Sequence, residues 1–234
     1  MKPFLISISL LFLLGEGVVS CSALPRVYQQ EMHPDQTAKV DLSSSLLDAS
    51  AKGDIDKVTA LLKAGAPLTS RDKDDRSALM LAVAGNHREV ARLLLAAGAN
   101  VNEEAPDKWT PLLFALSCAG ADLFKDILAA GANLNVRYGR GRTPLMVAAQ
   151  YGDNEKIEVL LNAGVIAYDV DDDGRTALIY AAEGNGNAGA IKLLLTAGID
   201  INARDKEGKT ALSYARAKKR RSIIKLLEES GGIE

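Results

Sequence analysis

A chain of 234 residues, 47% apolar and 25% charged, carries enough apolar material for one domain or one repeat array. Its net charge of -2 supplies no field that would hold a nucleic acid backbone or an anionic membrane, which argues against a polyanion as main partner.

In chain order, Met1 and Lys2 precede an apolar run from Pro3 to Leu14, and Gly15, Glu16 and small residues then lead to Ser20, Cys21, Ser22 and Ala23. This is the pattern of a secretory signal peptide over residues 1–20; the run is shorter than the roughly 20 residues of a spanning helix. Val18-Val19-Ser20-Cys21 resembles the lipobox of bacterial lipoproteins, which implies lipidation at Cys21 and a periplasmic protein held by a lipid anchor. Ordinary cleavage after Ala23 competes. By the same resemblance, Ser22 rather than Asp after the cysteine implies the outer membrane. Residues 21–43, with Pro25 and Pro34, then read as the lipidated cysteine and a flexible tether, so the membrane is met only through the anchor. The cysteine count predicts a fold without an intramolecular disulfide, with Cys118 a small, partly buried thiol near the end of a helix.

Beyond residue 43 the sequence repeats itself. Ser77-Ala78-Leu79, Thr110-Pro111-Leu112, Thr143-Pro144-Leu145, Thr176-Ala177-Leu178 and Thr210-Ala211-Leu212 recur at intervals of 33, 33, 33 and 34 residues, and Leu46 lies one period upstream of Leu79. Each is followed by an alanine-rich helical pattern, a Gly or Asn break, a second apolar helix and a closing glycine at Gly65, Gly98, Gly131, Gly164, Gly198 or Gly231. Thr-Pro sets a hydroxyl at the N-cap and Pro at the first helical position, where its missing N–H costs nothing. The closing glycines suit the left-handed conformation that ends a helix. Stretches such as Asp205-Lys206-Glu207-Gly208-Lys209 read as hairpin turns.

With Leu93-Leu94-Leu95-Ala96-Ala97-Gly98-Ala99-Asn100-Val101-Asn102, these motifs resemble the ankyrin repeat from residue 44 to 231. The resemblance implies an all-α solenoid of six helix-turn-helix units with projecting β-hairpin loops, at about 44–76, 77–109, 110–142, 143–175, 176–209 and 210–231. It departs from the family where His usually follows Thr-Pro-Leu: Leu47, Met80, Leu113, Met146, Ile179 and Ser213 stand there instead. A polar last helix ending Glu228-Glu229-Ser230 suits a water-exposed cap.

Three motifs invite other readings. Gly184-Asn185-Gly186-Asn187-Ala188-Gly189 has dinucleotide-binding spacing, but a helix rather than a strand precedes it, so it reads as an enlarged inter-helix loop. Asp169-Val170-Asp171-Asp172-Asp173-Gly174 opens like a calcium loop, but Tyr180 occupies the position that needs a bidentate Glu, which leaves an acidic hairpin tip. Lys218-Lys219-Arg220-Arg221 reads as a solvated charged cap. His33 and His87 are the only histidines, and no triad, metal cluster or cofactor site can be drawn; an enzyme is not expected.

The family implies binding of a protein partner through the hairpin tips and the exposed side of the first helices, on a concave face. By repeat position this selects Trp109, Tyr138, Arg140, Arg142 and Tyr151 as neighbours in the middle repeats, with Arg175 at the hairpin tip that follows and Ser117, Gln150 and Glu183 on the helix side. Tyr, Trp and Arg dominate binding hot spots, where truncation costs about 2 kcal/mol or more. The competing reading packs Trp109 against a hairpin stem and leaves the arginines merely solvated. The function implied is a monomeric interaction module of the cell envelope, such as an inhibitor or immunity protein for an exported enzyme, or a structural scaffold holding a complex.

Overall fold

The computed structural model describes residues 41–234; the expectations for the leader, Cys21 and most of the tether fall outside them. Among the described residues there are twelve α-helices, paired in six repeats, and no strand. The pairs are α1 (Leu42–Lys52) with α2 (Ile55–Lys63), α3 (Ala78–Ala84) with α4 (Arg88–Ala96), and α5 (Pro111–Ser117) with α6 (Ala121–Ala129). They continue as α7 (Pro144–Tyr151) with α8 (Asn154–Asn162), α9 (Ala177–Glu183) with α10 (Ala188–Thr196), and α11 (Ala211–Ala217) with α12 (Arg221–Glu229).

First helices begin where the hydroxyl residues stand. Ser77, Thr110, Thr143, Thr176 and Thr210 each accept from the backbone N–H three residues on, and α1 starts from Asp41, which caps Ser43. The six closing glycines all have φ between +81° and +94°. Leu46, Leu79, Leu112, Leu145, Leu178 and Leu212 are buried one per repeat, as are Leu61, Leu94, Ile127, Leu160, Leu194 and Leu227 on the second helices. Each such burial stabilises by about 1.5–3 kcal/mol. Between them Ala49, Ala82, Ala115, Ala148, Ala181 and Ala215 occupy one equivalent position and are all fully buried, which lets successive first helices approach closely. Leu47, Met80, Leu113, Met146 and Ile179, in place of the family's His, are buried in the same core.

Neighbouring repeats are also tied at their inter-helix turns, by a different side chain each time. His87 Nε2 donates to the Ala51 carbonyl at 3.1 Å, and Asn86 Oδ1 accepts from Gly120 N–H at 2.8 Å. The His87 ring fits because Gly53 and Gly85 flank it without Cβ atoms. Lys156, 4% exposed, donates to Leu116 and Ala119 carbonyls at 3.2 and 2.8 Å. Asn187 donates to Gly152 O at 2.9 Å. Arg220 donates to the carbonyls of Ala181, Gly184 and Gly186.

The projecting loops are narrower than full hairpins. Single antiparallel bridges close them, at Arg71 with Ser77, Ala105 with Trp109, Tyr138 with Arg142 and Val170 with Thr176. Tips of later loops bond to one another: Asp172 N–H donates to Arg140 O and Lys206 N–H to Asp173 O, both at 2.9 Å. The equivalent residue of the second loop is Pro106, which has no N–H to give. Cys118 stands at the C-cap of α5; the expectation of a fold without a disulfide turns on Cys21 as well, which falls outside the described residues.

Candidate partner-binding face

Hairpin bases and first helices meet along one row of equivalent positions. The bases are Asp72, Ala105, Tyr138, Asp171 and Asp205, spaced by one repeat. Where the base is Asp, its Oδ1 accepts two backbone N–H groups of its own loop, as Asp171 does from Asp173 and Arg175 at 2.9 and 2.8 Å. In the last two loops a tyrosine nine residues on completes the set: Tyr180 donates to Asp171 and Tyr214 to Asp205, each at 2.6 Å. Burial and this bond to a carboxylate push both phenols above their ordinary range.

The middle loops replace that polar set with aromatics. Trp109 is half-buried, its ring centroid 5.0 Å from Phe114 and 6.4 Å from Tyr138, the local stem packing of the competing reading. Tyr138 is 5% exposed, and Arg142 lies over its ring at 4.7 Å. Tyr138 is therefore the buried platform beneath Arg142 rather than an exposed side chain of this row. Burial raises its phenol.

Tyr151, 41% exposed, stands at the end of α7; burial raises its phenol and the charge of Arg142 opposes that. Arg142 also donates to Gly139 O at 3.3 Å and to Gln150 Oε1 at 3.4 Å. Trp109, Tyr138, Arg142 and Tyr151 are thus brought together. Arg140 reaches the next loop, 3.2 Å from Asp173 at an exposed ion pair, and Arg175 belongs to a separate group with Glu183 at 3.1 Å and the Tyr214 ring at 5.0 Å. Phe114 and Tyr214 escaped the sequence reading, and Tyr180 entered it only as the residue that breaks a calcium-loop pattern, although the Asp-to-Tyr spacing of nine, present twice, was a usable signal.

Other motifs are engaged in the fold. The oxygens around Gly184 and Gly186 receive the Arg220 guanidinium, so that loop turns acceptors inward where a phosphate would need donors. Asp169 pairs with Arg137 at 2.8 Å and Asp173 with Arg140, while Asp171 serves its own loop. Among the described residues no group of three His, Cys, Asp or Glu side chains is placed to hold a metal. Of the basic cluster, Arg220 is half-buried and Lys218, Lys219 and Arg221 are exposed.

The model of the family described as ankyrin repeats (3 copies) matches residues 46–138 and 115–205, and the chain belongs to the ankyrin repeat family, a non-catalytic module of protein–protein interaction. Among solved structures it is similar to an ankyrin repeat domain from Acinetobacter baumannii, with 34% identity and a TM-score of 0.68, over 80% of this chain and 98% of that one. A chain in the complex of a predatory endopeptidase from Bdellovibrio bacteriovorus with an immunity protein has 26% identity and a TM-score of 0.73, over 83% of this chain and 99% of that one. The ankyrin repeat domain of Bcl-3, of the IkappaB family, has 27% identity and a TM-score of 0.67, over 81% and 86%. Among curated proteins, none matches the chain in sequence.

Proposed function

We propose that this chain is an inhibitor or immunity protein that binds an exported enzyme, without catalysis or cofactor of its own, through the face built by its hairpin bases and first helices. The observation that carries the reading is the likeness to a chain in an endopeptidase–immunity protein complex, which extends over 99% of that chain. Support comes from the face itself, where Tyr151, Arg142 and Trp109 concentrate the residue types that anchor interfaces. On this reading the protein acts as a monomer in the periplasm, held to the outer membrane by acylation of Cys21.

The test is affinity capture from native envelope extract with the tagged full chain, followed by assay of the captured enzyme. A stoichiometric enzyme that loses activity on binding supports the reading; capture of none, or of an enzyme whose activity is unchanged, overturns it. Cys21→Ser tests the anchor: the variant should leave the membrane fraction and lose acyl mass from its N-terminal peptide, and an unchanged fraction removes lipidation from the reading.

A further inference from the structure

The repeats act as controls for one another at one arm of the hairpins, basic in four of the five, with Trp109 at that position in the other. Arg76, Arg142, Arg175 and Lys209 occupy equivalent positions. Arg76 pairs with Asp72 at 2.7 Å and Asp74 at 3.0 Å. Arg175 pairs with Glu183 at 3.1 Å and lies 3.8 Å from Asp205, and Lys209 pairs with Glu207 at 2.7 Å.

Arg142 reaches to the same places and finds neutral groups. Where Arg76 meets Asp72 on its own hairpin base, Arg142 meets the ring of Tyr138. Where Arg175 meets Glu183 one repeat on, Arg142 meets the amide of Gln150 at 3.4 Å, in matching geometry. Among the described residues no carboxylate lies within ion-pair distance of Arg142. The nearby base Asp171 already accepts from Tyr180 and from two backbone N–H groups. Nη2 of Arg142 is unclaimed, since its two bonds use Nε and Nη1.

A half-buried guanidinium has lost hydration that a carboxylate would restore, and its planar fork holds a carboxylate by two parallel bonds. The aromatic platform below and the exposed Tyr151 beside it would exclude water from such a pair.

We infer that Arg142 is the seat for an aspartate or glutamate side chain of the bound protein, which completes the ion pair that the chain supplies internally at Arg76 and Arg175. The inference rests on the reading of this face as a binding face and adds the chemistry of what it binds.

Gln150→Glu is the discriminating variant, because it installs the internal partner that Glu183 gives Arg175 and so preserves the fold. The full chain is titrated with end-blocked hexapeptides containing glutamate, with their glutamine counterparts, and with glutamine peptides bearing a free C-terminus. Wild type should favour the glutamate peptides at least tenfold, and both Gln150→Glu and Arg142→Gln should erase that preference without lowering the melting temperature of Gln150→Glu. Equal binding of glutamate and glutamine peptides, a preference surviving in both variants, or a preference for the free C-terminus alone would each overturn the inference. An inhibited enzyme that binds wild type and Gln150→Glu equally also overturns it while the inhibitor reading stands. Glutamate preference with no inhibited enzyme does the reverse.

Discussion

Tyr214 donates its hydroxyl proton to Oδ2 of Asp205 at 2.6 Å, across the nine residues between the base of the last hairpin and the middle of α11. The same carboxylate accepts from the backbone N–H groups of Glu207 and Lys209, both at 2.9 Å. Asp205→Ala leaves those donors without an acceptor and is expected to lower stability by about 2 kcal/mol in urea denaturation. Hydrogen exchange should accelerate at Glu207 and Lys209; unchanged exchange would show that the loop holds without the carboxylate.

Acid should weaken the last repeat for the same reason. Burial pushes the Asp205 carboxyl up, but the bonds from Tyr214, Lys209 and Glu207 and the charge of Arg175 outweigh it and leave the carboxyl below its ordinary value. A depressed folded value means that this contribution is fully present above the unfolded value of about 3.9 and is lost as pH falls through the folded one. Wild type should therefore lose stability below about pH 4. Asp205→Asn should lose less over that interval, and parallel acid profiles would refute the assignment.

Arg220 is a structural residue within a cluster that reads as surface charge. Its guanidinium holds the carbonyl of Ala181 in α9 and those of Gly184 and Gly186 in the enlarged loop that follows it. Arg220→Ala should destabilise the last two repeats by about 2 kcal/mol and expose residues 184–189 to proteolysis. The neighbouring Lys219→Ala, at an exposed position, should change stability by no more than about 0.5 kcal/mol. Equal effects of the two would sink the distinction.

At Tyr168 the expected change is a gain. Asn102 donates to Gly131 O and accepts from Asn133 N–H, and Asn202 likewise joins Gly231 and Ile233. Tyr168 occupies the equivalent position and is 72% exposed. Tyr168→Asn places the same amide opposite Gly198 and Asp200 and should stabilise the chain by about 1 kcal/mol, read as a higher denaturation midpoint. A lower midpoint would mean that the exposed ring contributes more than the two bonds.

Periodicity made the stack legible because one residue type recurs wherever the backbone demands it: Thr at a cap, Gly at φ near +90°, Ala where first helices touch. The ties between repeats were not legible, since His87, Lys156, Asn187 and Arg220 share neither charge nor size and act on carbonyls some 34 to 40 residues earlier. Lys156 illustrates the difficulty. It stands where equivalent positions hold Val90 and Leu123, and the carbonyls of Leu116 and Ala119 together with the Asp153 carboxylate, 3.2 Å away, explain a buried ammonium there. The candidate face was legible as a neighbourhood of residues but not in depth: Tyr138 and Tyr151 look alike in sequence, and one is buried while the other is 41% exposed.

The bonds between hairpin tips make the row of loops mechanically uneven. From Arg140 to Lys206 the tips are stitched to one another through the backbone, so a load on one is shared by its neighbours and a partner docking there need not align them. Pro106 leaves the tips of the first two fingers without such a bond, joined only at their stems, where Glu103 accepts from Arg71 at 2.6 Å and from Ser77, and a partner that bridges those tips gives up part of its affinity to drawing them into register.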